Sequence, residues 1–178
     1  MNKLKVVFTT SAAGKTYLNL LDGEKYFDAY DYGNNLNKND ADFLMRTHGS
    51  TFDRLINFIE NRSMWNLDYQ YIFSSIIHTN IALPESIEKI KRLNVEIIFV
   101  LPDPKYKPVI DKRLYERNVY QYGKKYGVNE TVECIDNITL DHISHFAKEN
   151  NIEIIYLNEQ CPYLENALDL YERKHGLK

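Results

Sequence analysis

Short apolar runs alternate with longer amphipathic stretches along this chain. Residues 4–8 (Leu4-Lys5-Val6-Val7-Phe8) form a first run, 25–30 a second, 69–77 a third, 95–101 a fourth and 152–157 a fifth, and each reads as a β-strand. Glu96 is followed by the apolar residues Ile97-Ile98-Phe99-Val100, the continuous pattern of a strand buried on both faces. Helical spacing predicts helices over 16–21, 40–48, 50–61, 85–93, 108–126, 139–150 and 163–175, the last stopped before Gly176. Strand alternating with helix implies an α/β fold around a parallel sheet. No Pro-, Gly- or Ser-rich linker and no repeat divides residues 1–178, which read as one domain.

The junction between the first strand and the first helix carries the most specific signal. It reads Thr9-Thr10-Ser11-Ala12-Ala13-Gly14-Lys15-Thr16. A phosphate-binding loop has the form G-x-x-x-x-G-K-S/T between a strand and a helix; its backbone N–H groups cradle phosphates, its Lys neutralises them and its hydroxyl binds Mg²⁺. Gly14, Lys15 and Thr16 fit that form, and the small residues Ser11, Ala12 and Ala13 let backbone approach a phosphate closely. Thr9 stands where the first Gly belongs. A β-branched residue tolerates positive φ poorly, so either the loop bends differently or it is impaired.

Composition narrows the class without adding chemistry. With 178 residues the chain has enough apolar material for a substantial core, and 22 Lys plus Arg against 25 Asp plus Glu leave a net charge of -3. Nothing global recruits duplex DNA or an anionic membrane. The two cysteines, Cys134 and Cys161, form neither a disulfide framework nor a zinc motif and read as idle thiols. No apolar stretch has membrane-spanning length, and the N-terminus is itself a strand, so the expected location is the cytoplasm.

The loop at 9–16, the five-strand rhythm and a basic segment after the fourth strand together resemble the P-loop kinases of the nucleoside monophosphate kinase type, and more narrowly small phage-encoded nucleotide kinase-like proteins. Only Gly14-Lys15-Thr16 is a specific motif; the rest is element order. The resemblance implies a three-layer P-loop fold, its five-stranded parallel sheet in the order 2-3-1-4-5 with helices on both faces. It also implies an acceptor-binding insertion at about 33–66 and a lid at about 103–117. ATP with Mg²⁺ would be the phosphoryl donor and a (deoxy)nucleoside monophosphate the acceptor; a homodimer is compatible with it.

Under that resemblance, Ser11, Ala12, Ala13, Gly14, Lys15 and Thr16 bind the nucleotide, Thr16 is the metal ligand, and Lys15, Asp31, Arg113 and Arg117 are catalytic. Asp31 ends the second strand, on the edge where ligands of open α/β sheets collect. Alternation sets Asp28 and Asp31 on opposite faces, and Asp31 is preferred because the strand has ended there and its side chain is free to turn inward; a turn-initiating Asp is the competing reading. The third strand carries no acid at its end, only Ser74 and Ser75 with His78 beyond, which disfavours a motor-type ATPase more than a kinase. Arg113 and Arg117 share a helix face at i and i+4, as lid arginines that clamp a transferring phosphoryl group would, with Lys105, Lys107 and Lys112 nearby; a solvated mixed-charge helix is the alternative.

The insertion supplies Arg46 and Arg54 as acceptor-phosphate candidates, with His48, Arg62, Phe43, Phe52, Phe58 and Trp65 interleaved. Phe52, Leu55, Ile56 and Ile59 have core spacing instead. Basic and aromatic residues together also suit a polynucleotide end. Two rivals therefore stand beside the nucleotide kinase: a P-loop kinase of a polynucleotide or non-nucleotide acceptor, and a non-catalytic nucleotide-binding protein.

Overall fold

In the computed structural model, which describes residues 3–29, 51–61, 70–76, 84–118 and 135–177, the first apolar run forms β1 (Lys5–Thr9), buried along its whole length. The other strands are β2 (Tyr26–Asp28), β3 (Tyr71–Ser75), β4 (Glu96–Pro102) and β5 (Glu153–Leu157). They form one parallel sheet in the order β2-β3-β1-β4-β5, as expected from the resemblance. The described helices are α1 (Lys15–Leu21), α2 (Thr51–Glu60), α3 (Pro84–Lys91), α4 (Lys107–Asn118), α5 (Asn137–Glu149) and α6 (Leu164–Lys174). The helix expected at 40–48 and the second half of that expected at 108–126 lie outside the described residues.

Two compact units emerge: Met1–Thr9 with Lys15–Phe99, and Thr10–Gly14 with Val100–Lys178. In the first, register explains the placement of helices. Lys5, Val7 and Thr9 pair with Tyr71, Phe73 and Ser75, while Tyr26 and Asp28 pair with Tyr71 and Phe73. Side chains at register partners share a face, so Val7, Thr9, Phe73, Ser75 and Asp28 lie on one side of the sheet and Val6, Phe8, Ile72 and Phe27 on the other.

Helix α2 takes the second side. Its Phe58 stacks on Phe27, ring centroids 4.5 Å apart and planes 6° from parallel, and Phe52, Leu55, Ile56 and Ile59 are buried with it. These four are core, as their spacing predicts, and Phe58 joins them instead of waiting for a base. Helix α1 takes the side of Asp28, so helices cover both faces of β2. Truncation Phe58→Ala removes a fully buried ring and is expected to cost about 3–5 kcal/mol. Because a domain's whole stability is about 5–15 kcal/mol, a urea midpoint should register the change plainly; a loss below about 1 kcal/mol would remove Phe58 from the core.

In the second unit, helix termini are fixed by side chains. Asp136 caps α5, accepting from the Thr139 N–H at 2.7 Å and the Thr139 hydroxyl at 3.0 Å, bonds that hold its carboxyl below the ordinary range. The turn from α5 into β5 passes through Asn151 at φ 53°, a left-handed position that Asn tolerates.

Glu153, at the start of β5, accepts from Lys174 Nζ at 2.7 Å and lies 2.8 Å from His175 Nε2, tying down the end of α6. Burial raises the Glu153 carboxyl, but the bonds from Lys174 and His175 outweigh it, and the net position is below the ordinary 4.5. A depressed folded value stabilises the protein above the unfolded value and is lost as pH falls through the folded one. Wild type should therefore exceed Glu153→Gln by up to about 1 kcal/mol near neutral pH, with the gap closing as acid protonates the carboxyl. Urea midpoints of both proteins across the acid range check this; a gap that stays constant contradicts it.

Candidate functional site

The first unit places a buried carboxylate against the loop's hydroxyl. Thr16 follows Lys15 in the first turn of α1, and its Oγ1 donates to Asp28 Oδ2 at 3.1 Å. One turn on, Asn19 Oδ1 accepts from the Asp28 backbone N–H at 2.9 Å, so α1 grips the end of β2 through main chain and carboxylate together. Asp28 is 2% exposed and Asn19 equally buried. A carboxylate taken out of water is costly unless paired, and the Thr16 hydroxyl is one of its partners. Because that hydroxyl spends its proton on Asp28, its lone pairs are left to face a cation.

This geometry fits Mg²⁺. The ion takes oxygen ligands, keeps several waters and binds through one or two carboxylates plus substrate phosphates, and Thr16 and Asp28 supply one hydroxyl and one carboxylate of that set. No group of three or more His, Cys, Asp or Glu capable of holding a metal occurs among the described residues, so the phosphates and water would complete the shell. β3 ends at Ser75 without an acid; the acid beside Thr16 comes from β2.

Sequence reasoning weighed Asp28 and chose Asp31. Asp31 lies outside the described residues, whereas the Asp28 carboxylate is the one at Thr16. The missed signal is the pattern Tyr26-Phe27-Asp28: once Phe27 faces the core under α2, Asp28 must face the opposite side, where α1 begins.

The loop bends where the sequence allows it. Thr9 is the last residue of β1, paired with Ser75, and is absent from the residues with positive φ. The left-handed positions are Ala12 at φ 61° and Gly14 at φ 107°. The feared conflict at Thr9 therefore does not arise, and the strain moves to Ala12, where a non-glycine residue in that region costs about 1–2 kcal/mol. Such strain is a mark of functional loops. A Cβ built on Gly14 meets nothing within 4 Å, so its backbone is open to a ligand and only its φ demands glycine. Lys15 is 9% exposed.

In the second unit, Ala13 is fully buried and its carbonyl accepts from the Leu164 N–H at 2.9 Å, fastening the loop to the start of α6. Arg113 is similarly committed. Its Nη1 donates to the Pro162 carbonyl at 2.7 Å and its Nη2 to the Tyr106 hydroxyl at 2.8 Å, and its guanidinium lies 4.3 Å from the Tyr163 ring centroid. Planar stacking plus two directed bonds suit arginine over lysine. Arg113 therefore braces the turn after β5 with two of its five N–H donors.

The described part of the expected lid is a packed helix. Asp103 launches α4 by accepting from the Lys105 N–H at its side chain and from the Tyr106 and Lys107 N–H groups at its carbonyl. Tyr106, Ile110 and Leu114 form its buried stripe. Lys107 pairs with Asp111, and Lys112 lies 3.8 Å from Glu116, so part of the expected positive charge is compensated within the helix. Arg117 stands one turn beyond Arg113, partly buried. Arg54 is partly buried on α2, while Arg46, His48, Arg62, Phe43, Trp65 and His78 lie outside the described residues.

No protein-family model matches this chain, and no curated protein does. Among solved structures it is similar to one described as the crystal structure of APE1195, with 14% identity, a TM-score of 0.43, and coverage of 99% of this chain and 98% of that one. It is also similar to a gluconokinase from Sinorhizobium meliloti 1021, with 10% identity, a TM-score of 0.39, and the same coverage. Neither likeness carries weight for function at those scores.

Proposed function

We propose that the protein is an ATP-dependent phosphotransferase of the P-loop type and that its acceptor is a (deoxy)nucleoside monophosphate. The observation that carries this reading is the bond from Thr16, the last residue of the Gly14-Lys15-Thr16 motif, to the buried Asp28 carboxylate. A turn that contained Gly-Lys-Thr by accident would have no reason to direct its hydroxyl at a buried acid. The five-stranded order β2-β3-β1-β4-β5 is the frame in which that reading was expected.

The residues divide the work as follows. Backbone N–H groups of the segment 11–16 hold the phosphate chain, and Lys15 neutralises its β- and γ-oxygens. Thr16 and Asp28 would hold Mg²⁺, Thr16 as a direct oxygen ligand and Asp28 by orienting Thr16 and taking part through water. The ion, when bound, draws charge from the phosphate oxygens as the phosphoryl group departs. Arg113 keeps the bracing role set by its contacts, and Arg117 is proposed to stabilise charge during transfer. Asp31 and Arg46 stay proposed as acceptor-side residues on their sequence positions, with Arg54.

Phosphoryl transfer from labelled ATP across the ribo- and deoxyribonucleoside monophosphates tests this. Labelled diphosphate product from at least one acceptor is the expected result. Binding of ATP without transfer to any of them would move the acceptor to a non-nucleotide or a polynucleotide end.

A further inference from the structure

The ends of β1 and β3 carry two hydroxyls left without a hydrogen bond among the described residues. Thr9 and Ser75 are register partners on adjacent strands, so their Cα atoms lie side by side and their side chains share a face. Thr9 is 0% exposed and Ser75 4%. Neither Thr9 Oγ1 nor Ser75 Oγ has a hydrogen-bond partner among the described residues. Buried hydroxyls are normally satisfied, and an exception calls for an explanation.

Their position supplies one. Both sit at the carboxyl end of the parallel strands, the edge at which ligands of open α/β sheets bind. Both lie on the face of Asp28, which is two residues back in register from Ser75 on the neighbouring strand and which accepts from Thr16. A hydroxyl carries no charge, but it both donates and accepts, so a pair of them can orient a water that a metal ion polarises.

Resting on the phosphotransferase reading, we infer that Thr9 and Ser75 form a hydroxyl pair that holds a water of the metal–nucleotide's coordination shell on the Asp28 face of the sheet. Asp28 supplies the charge and the pair supplies direction. The same assignment explains why Thr9 replaces glycine: the position is strand, not turn, and its side chain has work there.

The test is metal affinity, read without turnover. Mn²⁺ serves as the probe, titrated by electron paramagnetic resonance into the protein saturated with a non-hydrolysable ATP analogue, for wild type, Thr9→Val, Ser75→Ala and the hydroxyl-keeping controls Thr9→Ser and Ser75→Thr. The expected result is Mn²⁺ binding weakened about tenfold in Thr9→Val and Ser75→Ala, unchanged in at least one control, with metal-free analogue affinity held within about twofold. Thermal melting without ligand should show both variants folded, since removing an unsatisfied buried hydroxyl does not destabilise. Wild-type Mn²⁺ affinity in both variants, with analogue still bound, would overturn the pair alone and leave it a structural feature. A wild-type protein that binds no analogue would overturn the phosphotransferase reading and the pair with it.

Discussion

Lys15→Ala is expected to remove ATP turnover, by at least about 10²-fold, while leaving the fold in place. Lys15 opens α1 directly after Gly14, and it is only 9% exposed. In phosphoryl transfer the protein performs little covalent work; positioning and neutralisation of oxygen charge supply most of the rate. The Lys15 side chain is itself largely out of water, where its charge counts for more than in solvent. Alanine is a good helix former, so α1 should persist and far-ultraviolet circular dichroism should be unchanged. Turnover equal to wild type in a folded variant would detach the loop from the chemistry.

Asp28→Asn should weaken metal binding by about 10–100-fold and reduce turnover with it. The substitution keeps size and shape, and the backbone N–H that donates to Asn19 is untouched, so β2 stays gripped by α1. What changes is the charge beside Thr16 Oγ1, and with it the reason for that hydroxyl to turn its lone pairs outward. The readout that separates this from a merely structural role is the Mg²⁺ dependence: the half-saturating concentration should rise while affinity for metal-free nucleotide stays close to wild type. An unaltered Mg²⁺ dependence would leave the acid to another residue, Asp31 being the first to examine.

The parallel sheet was legible because strand-like runs alternate with helical stretches, while its strand order was legible only through the resemblance. Helix limits followed where a side chain marks them: α6 runs from 164 to 174, close to the predicted 163–175, while α5 begins at 137 instead of 139 because Asp136, not a later residue, is its cap. The loop was legible in composition but not in conformation, since Ala12 and not Thr9 bears the positive φ. The place of Asp28 beside Thr16 was not legible for a tertiary reason: it depends on Phe27 meeting Phe58, a contact 31 residues apart in sequence that no local pattern reveals. Arg113 was legible as one of an arginine pair on a helix, yet its partners Pro162 and Tyr163 come from the turn after β5, nearly 50 residues downstream.

Calorimetric titration of ATP into wild-type protein and Lys15→Ala, with Mg²⁺ and without it, tests the central claim most directly. Saturable binding at one site in wild type, strengthened by Mg²⁺ and lost in Lys15→Ala, is the predicted result. Absence of binding by wild type under both conditions, or equal binding by the variant, would contradict the assignment of residues 9–16 as a phosphate-binding loop.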